Sequence, residues 1–86
     1  MDEKRIAVAA IVVDEQSAVE EVNKVLHEYS SIIIGRMGIP YRRKNINIIS
    51  IAIDAPQDTI AALSGKIGRI DGVSVKTAYS GVSFND

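Results

Sequence analysis

Apolar positions along this chain recur every second residue, then about every 3.6, then every second residue through two segments, then about 3.6, then every second residue once more. Arg5 to Val13 and Ile46 to Ile53 carry the alternation of strands, Ile32 to Met37 that of a shorter strand, and Val73 to Tyr79 that of a last one. Ser17 to Tyr29 and Thr59 to Ile70 carry helical spacing. The order βαββαβ predicts an α+β, ferredoxin-like sandwich: a four-stranded antiparallel sheet with two helices on one face.

The two longest strands are unusual in being apolar on both parities. Ile6, Val8, Ala10 and Val12 alternate with Ala7, Ala9, Ile11 and Val13, and Ile46, Ile48, Ser50 and Ala52 alternate with Asn47, Ile49, Ile51 and Ile53. Such strands are central and covered on both sides. In the first helix Val19, Val22, Leu26 and Tyr29 form one stripe with Val25 beside it, while Glu20, Glu21, Lys24 and Glu28 point outward. Asp14 is placed to cap it, and Glu15 and Glu20 suit its positive end. In the second helix Ile60, Leu63, Ile67 and Ile70 form the stripe. Pro56 suits its first turn and Asp58 offers a further cap. Gly65 and Gly68 each cost that helix roughly 1 kcal/mol against alanine, which predicts close approach of another backbone there. Asp71-Gly72 signals a turn, and the last strand reads as a half-exposed edge.

With 86 residues the chain holds one domain, residues 1–86, with its core at about 4–79 and a loose tail at 80–86. A domain this small buries only about 60–65% of its unfolded surface. No cysteine is present to staple it. Two helices cover one side of the sheet, yet the central strands offer apolar residues to the other side as well. A bare apolar face of that size is unusual on a monomer, so the pattern predicts a homo-oligomer, a dimer or tetramer, burying the open face or extending the sheet by an edge. Without a leader, a long apolar run or a lipidation motif in the sequence, a soluble cytoplasmic protein without membrane contact is expected.

The net charge of −1 argues against general nucleic-acid affinity. Its distribution is uneven. Acids dominate up to Glu28, but from Tyr29 to Ile53 there is no acid, and Arg36, Arg42, Arg43 and Lys44 fall in that span. Gly35 to Lys44 reads as a basic loop in which Gly38 can take positive φ and Pro40 stiffens the backbone. Its plain reading is a hairpin connection with solvated cations. Its functional reading is an anion or partner contact, with Arg36 and Arg42 able to fork onto a carboxylate or phosphate.

The segment Ser30 to Arg42, with its Arg-Met-Gly-Ile-Pro-Tyr core, and the segment Asp58 to Gly68 followed by Gly72-Val73 and Val75-Lys76-Thr77 resemble the regulators of the iron-only hydrogenase system. The resemblance runs from about Lys4 to Thr77. It implies an ACT-like module, similar in fold to the ACT domain and to the C-terminal nickel-binding domain of nickel-responsive regulators, and it carries transcription regulation as an expectation. Three departures shape what transfers. His27 is the only histidine and cysteine is absent, so the nickel ligand set is missing and no metal or other cofactor is expected. The turn after the first strand, Val13 to Ser17, lacks the proline and glycine of amino-acid-binding ACT domains. Arg5 already begins the first strand, leaving no ribbon-helix-helix arm, so no direct nucleic-acid contact is expected.

Other chemistry is thin. Glu20, Asn23 and His27 share a helix face and could form a weak metal site, but a histidine near a helix C-terminus more often answers the helix dipole. Ser30, Ser31, Ser64 and Ser80 have no base and orienting partner in pattern, no phosphate-binding Walker loop exists, and Asp54, Asp58 and Asp71 read as caps and turns, so no enzyme is expected. The leading reading is a standalone ACT-like regulatory domain that senses a small-molecule effector or signals to a protein partner, with Arg36, Gly38, Tyr41 and Arg42 as the effector contacts. The alternatives are a ligand-free protein–protein interaction module and, third, a small enzyme of the ferredoxin-like class.

Overall fold

Alternation in the central strands dictates the architecture. In the computed structural model, which describes residues 3–84, the elements are β1 (Lys4–Val13), α1 (Val19–Glu28), β2 (Ile33–Tyr41), β3 (Ile46–Pro56), α2 (Gln57–Gly68) and β4 (Val73–Phe84). Short 3-10 turns occupy Gln16–Ala18, Ser30–Ile32 and Arg42–Lys44. The sheet order is β2-β3-β1-β4 with every neighbouring pair antiparallel. This is the ferredoxin-like βαββαβ sandwich. The doubly apolar β1 and β3 lie at its centre, and β2 and β4 form the edges.

The core lies between the helices and one parity of the sheet. Ala7, Ala9, Ile11 and Val13 of β1 and Ile49, Ile51, Ile53 and Ala55 of β3 are buried beneath Val22 and Leu26 of α1 and Ile60, Leu63 and Ile67 of α2. Each fully buried isoleucine or leucine contributes about 1.5–3 kcal/mol. The alanines on β1 let the helices approach closely while the isoleucines on β3 supply volume. The Ser64 and Thr77 hydroxyls share a hydrogen bond of 2.7 Å between α2 and β4. Arg5 ties the far end of β1 to its neighbours, donating to the Ser80 carbonyl (2.7 Å) and the Gln57 side chain (3.2 Å) and lying 5.5 Å from the Tyr79 ring centroid.

Several local expectations are corrected. Gly35 to Lys44 is not a loop: β2 runs on to Tyr41, paired as far as Tyr41 with Ile46, and only Arg42–Lys44 turns. Pro40 is tolerated because β2 is an edge strand. The left-handed residue of this connection is Asn45 (φ 55°), whereas Gly38 does not take positive φ. The expected loose tail is strand to Phe84, where β4 pairs with Lys4 and Arg5 beyond a bulge; residues 85 and 86 lie outside the described residues. Asp14 does not cap α1. Its backbone N–H donates to the Gly72 carbonyl (2.8 Å), and a 3-10 turn intervenes before α1 begins without a side-chain cap. Pro56 is the N-cap of α2 rather than a first-turn residue, and Asp58 lies within that turn. Gly65 and Gly68 face side chains, the Arg69 guanidinium and Val75, rather than a neighbouring backbone.

Gly72 is the one glycine whose backbone demands it. It has φ +80°, and a Cβ there would stand 2.6 Å from the Glu15 side chain. The turn before β4 thus docks onto the start of the α1 segment. Gly72→Ala is expected to lower the unfolding free energy by about 1–3 kcal/mol, and because the Glu15 Cβ itself would stand 2.7 Å from the new methyl, adding Glu15→Ala should recover little of the loss. Urea denaturation measures both, and an unchanged midpoint for Gly72→Ala would refute the docking.

Candidate functional site

β2 projects past the helical layer and is exposed from Ile34 to Tyr41. Its register with β3 assigns its faces. Arg36 opposes Ile51, Gly38 opposes Ile49 and Pro40 opposes Asn47, so these three lie on the helix side. Met37, Ile39 and Tyr41 oppose Ser50, Ile48 and Ile46 on the open side. One strand therefore furnishes two different surfaces.

On the helix side no element covers Arg36, Gly38 or Pro40, and a groove runs between β2 and α1. Its larger part, about 420 Å³, is lined by Asn23, His27, Ser30, Ile33, Gly35 and Arg36, with Leu26 behind. A smaller hollow of about 220 Å³ continues it, sharing Asn23 and Arg36 and adding Val19, Gly38, Pro40 and Asn47. The Arg36 guanidinium bridges the groove and donates to Asn23 Oδ1 at 3.0 Å. No carboxylate lines either part. By contrast, a cleft between the two ends of the helical layer is lined by Glu15, Glu21, Asp71 and Arg69.

The expected effector contacts are thereby divided. Arg36 and Gly38 share the α1–β2 groove. Tyr41 and Arg42 line a separate hollow of about 280 Å³ at the β2–β3 turn, with Gln16 and Asn45. Asn23, His27 and Ser30 complete the first groove and were not among the expected contacts. The i, i+4 spacing of Asn23 and His27, which in the sequence suggests a weak metal site, is the signal that places them on one face of the groove. Among the described residues no group of three His, Cys, Asp or Glu side chains is placed to hold a metal ion. No helix among the described residues is long and apolar enough to cross a membrane.

On the open side Val8 of β1 (46% exposed), Ile48 of β3 (37%) and Met37, Ile39 and Tyr41 of β2 (60%, 47% and 36%) form a continuous apolar field, since Ile39 pairs with Ile48 and Ile48 with Val12. Ala10, Ala52 and Ala78 extend it at the same parity, and Lys76 and Asp54 stand toward opposite ends. One Asp54 carboxylate oxygen is buried without a hydrogen-bond partner among the described residues.

Arg36 and Arg42 are exposed and outside the core. Replacing each with alanine is expected to change the unfolding free energy by no more than about 0.5 kcal/mol, checked by chemical denaturation. A larger loss at either position would make it a structural residue.

Comparison with known proteins agrees with this fold. A search of curated proteins finds no match. Among solved structures, an uncharacterized protein from Thermotoga maritima, TM1266, superposes with a TM-score of 0.86 at 46% identity, over 90% of this chain and 98% of that one. A formyltetrahydrofolate deformylase from Pseudomonas putida is similar in fold alone, with TM-score 0.61, 11% identity and coverage of 85% of this chain but 28% of that one. The family profile described as "TM1266-like: Iron-only hydrogenase system regulator, putative" matches residues 5–77. On that match and on its kinship with the Thermotoga protein, the chain belongs to the TM1266-like family of iron-only hydrogenase system regulators.

Proposed function

We propose that the protein is a non-catalytic, ACT-like regulatory module that works as a homo-oligomer and senses a small effector, within the iron-only hydrogenase system that its family's description names. The observation that carries this reading is the apolar field on the open side of the sheet. Side chains as large as Ile39, Ile48 and Met37 stand there in register, more than a third exposed, with no helix over them. A second copy laid against this face removes that surface from water at about 25 cal/mol per Å² of apolar area. Covering the face is also the simplest way for a domain with so small a core to gain stability by association.

Sensing then follows from linkage. β2 carries Arg36 and Gly38 on its helix side and Met37, Ile39 and Tyr41 on its open side, so an effector that fixes the strand biases the face used in assembly. By reciprocity assembly strengthens effector binding by the same factor. Contacts are drawn from Arg36 and Gly38 in the groove, and Tyr41 and Arg42 at the turn offer a second point of attachment. The effect reaches its target through a protein partner, without direct nucleic-acid contact or membrane association.

Sedimentation equilibrium at micromolar concentration tests the reading. The protein is expected to sediment as a dimer or tetramer, and the doubly substituted Val8→Lys/Ile48→Lys variant as a monomer with unchanged far-ultraviolet circular dichroism. A monomeric parent protein contradicts self-assembly and favours the interaction-module alternative, in which a different protein covers the same face.

A further inference from the structure

We propose that the groove between α1 and β2 is a binding site for a small organic monocarboxylate, with the carboxylate on Arg36 and the apolar body laid along the strand between Ile33 and Gly38. This deepens the sensing half of the reading above and rests on it.

The first argument is electrostatic. Arg36 is the cation of a groove that no carboxylate lines, in a chain with 11 acidic residues. Its hydrogen bond goes to the neutral Asn23 amide oxygen, not to an acid. A guanidinium carries five N–H donors in a fork that matches a carboxylate. Asn23 thus orients the side chain across the groove without neutralising it, as positioning of an anion requires.

The second argument is shape. A Cβ built on Gly38 would meet nothing within 4 Å, so the strand presents bare backbone to the groove where any other residue would project. Ile33 lines the groove as an apolar wall, and the larger part, about 420 Å³, is the size of sites that take small molecules. The lining combines a few polar groups with an apolar floor, the make-up such sites share.

The third argument separates carboxylate from phosphate. The groove holds a single guanidinium and no second lysine or arginine, and the first residue of α1, Val19, lines only its smaller hollow. Its far end, at His27 and Ser30, lies against the C-terminal end of α1, whose dipole is negative and disfavours a dianion. One charge on the ligand is matched by one charge on the protein.

The test is an amide chemical-shift titration of the full chain with sodium butyrate, against sodium chloride and inorganic phosphate at matched ionic strength. Saturable shifts are expected with butyrate at Asn23, His27, Gly35, Arg36 and Gly38, with about tenfold weaker binding in Arg36→Gln. Gly38→Val, which fills the shelf, should weaken binding while leaving the spectrum folded. Butyrate shifts no larger than those with chloride, saturable shifts confined to Arg42–Lys44, or undiminished affinity in Arg36→Gln would each overturn the site. Phosphate binding as tight as butyrate would overturn the ligand class. The groove lies within one chain, so saturable shifts can be seen in a monomer and be missing in an oligomer, and the failure of one result is told apart from the failure of the other.

Discussion

The structure depends on one constraint: two central strands are apolar on both sides, and the topology supplies helices for only one. β1 and β3 send Ala7, Ala9, Ile11, Ile49, Ile51 and Ile53 into a closed core under α1 and α2. The same strands send Val8 and Ile48 to the other side, where β2 adds Met37 and Ile39. Inverting that alternation is not available to the chain, because a one-residue slip would expose the core set. The fold is thus complete on one face and unfinished on the other, and the unfinished face is what makes association the natural reading of the molecule.

In the proposed reading, β2 is the element in which assembly and sensing meet. It pairs only with β3, carries little buried surface and alternates a groove-lining set with a face-forming set. An edge strand held on one side by hydrogen bonds has low local stability, and segments of low stability are those that respond to ligands. Arg36 is the hinge of this logic: its contact with Asn23 on α1 is the point where the helical layer reaches across to the projecting strand.

Much of this was legible in the sequence. The double apolarity of β1 and β3 gave their central position, and Ile60, Leu63 and Ile67 gave the buried face of α2, with Ile70, expected on the same helix, buried just beyond its end at Gly68. What failed to show were features fixed by pairing rather than by propensity. Gly35, Gly38 and Pro40 read as a loop, yet β3 holds them in register because an edge strand tolerates both residue types. Ser80 and Gly81 read as a tail, yet β1 begins at Lys4 and offers a partner for the continuing strand. At the candidate site, Arg36 stood out as a cation in an acid-free stretch, but its placement opposite Asn23 is tertiary and left no local trace. Tyr41 and Arg42 were grouped with Arg36 by proximity in sequence; alternation along β2 and the turn after it separate them.

The central claim, that a second copy covers the open face, is tested most directly by isotope-filtered nuclear Overhauser measurements on a mixture of labelled and unlabelled protein. The account predicts contacts between chains at the methyl groups of Val8, Ile39 and Ile48. Between-chain contacts confined to the outer surfaces of α1 and α2, or none at all at concentrations where the face would be covered, would contradict it.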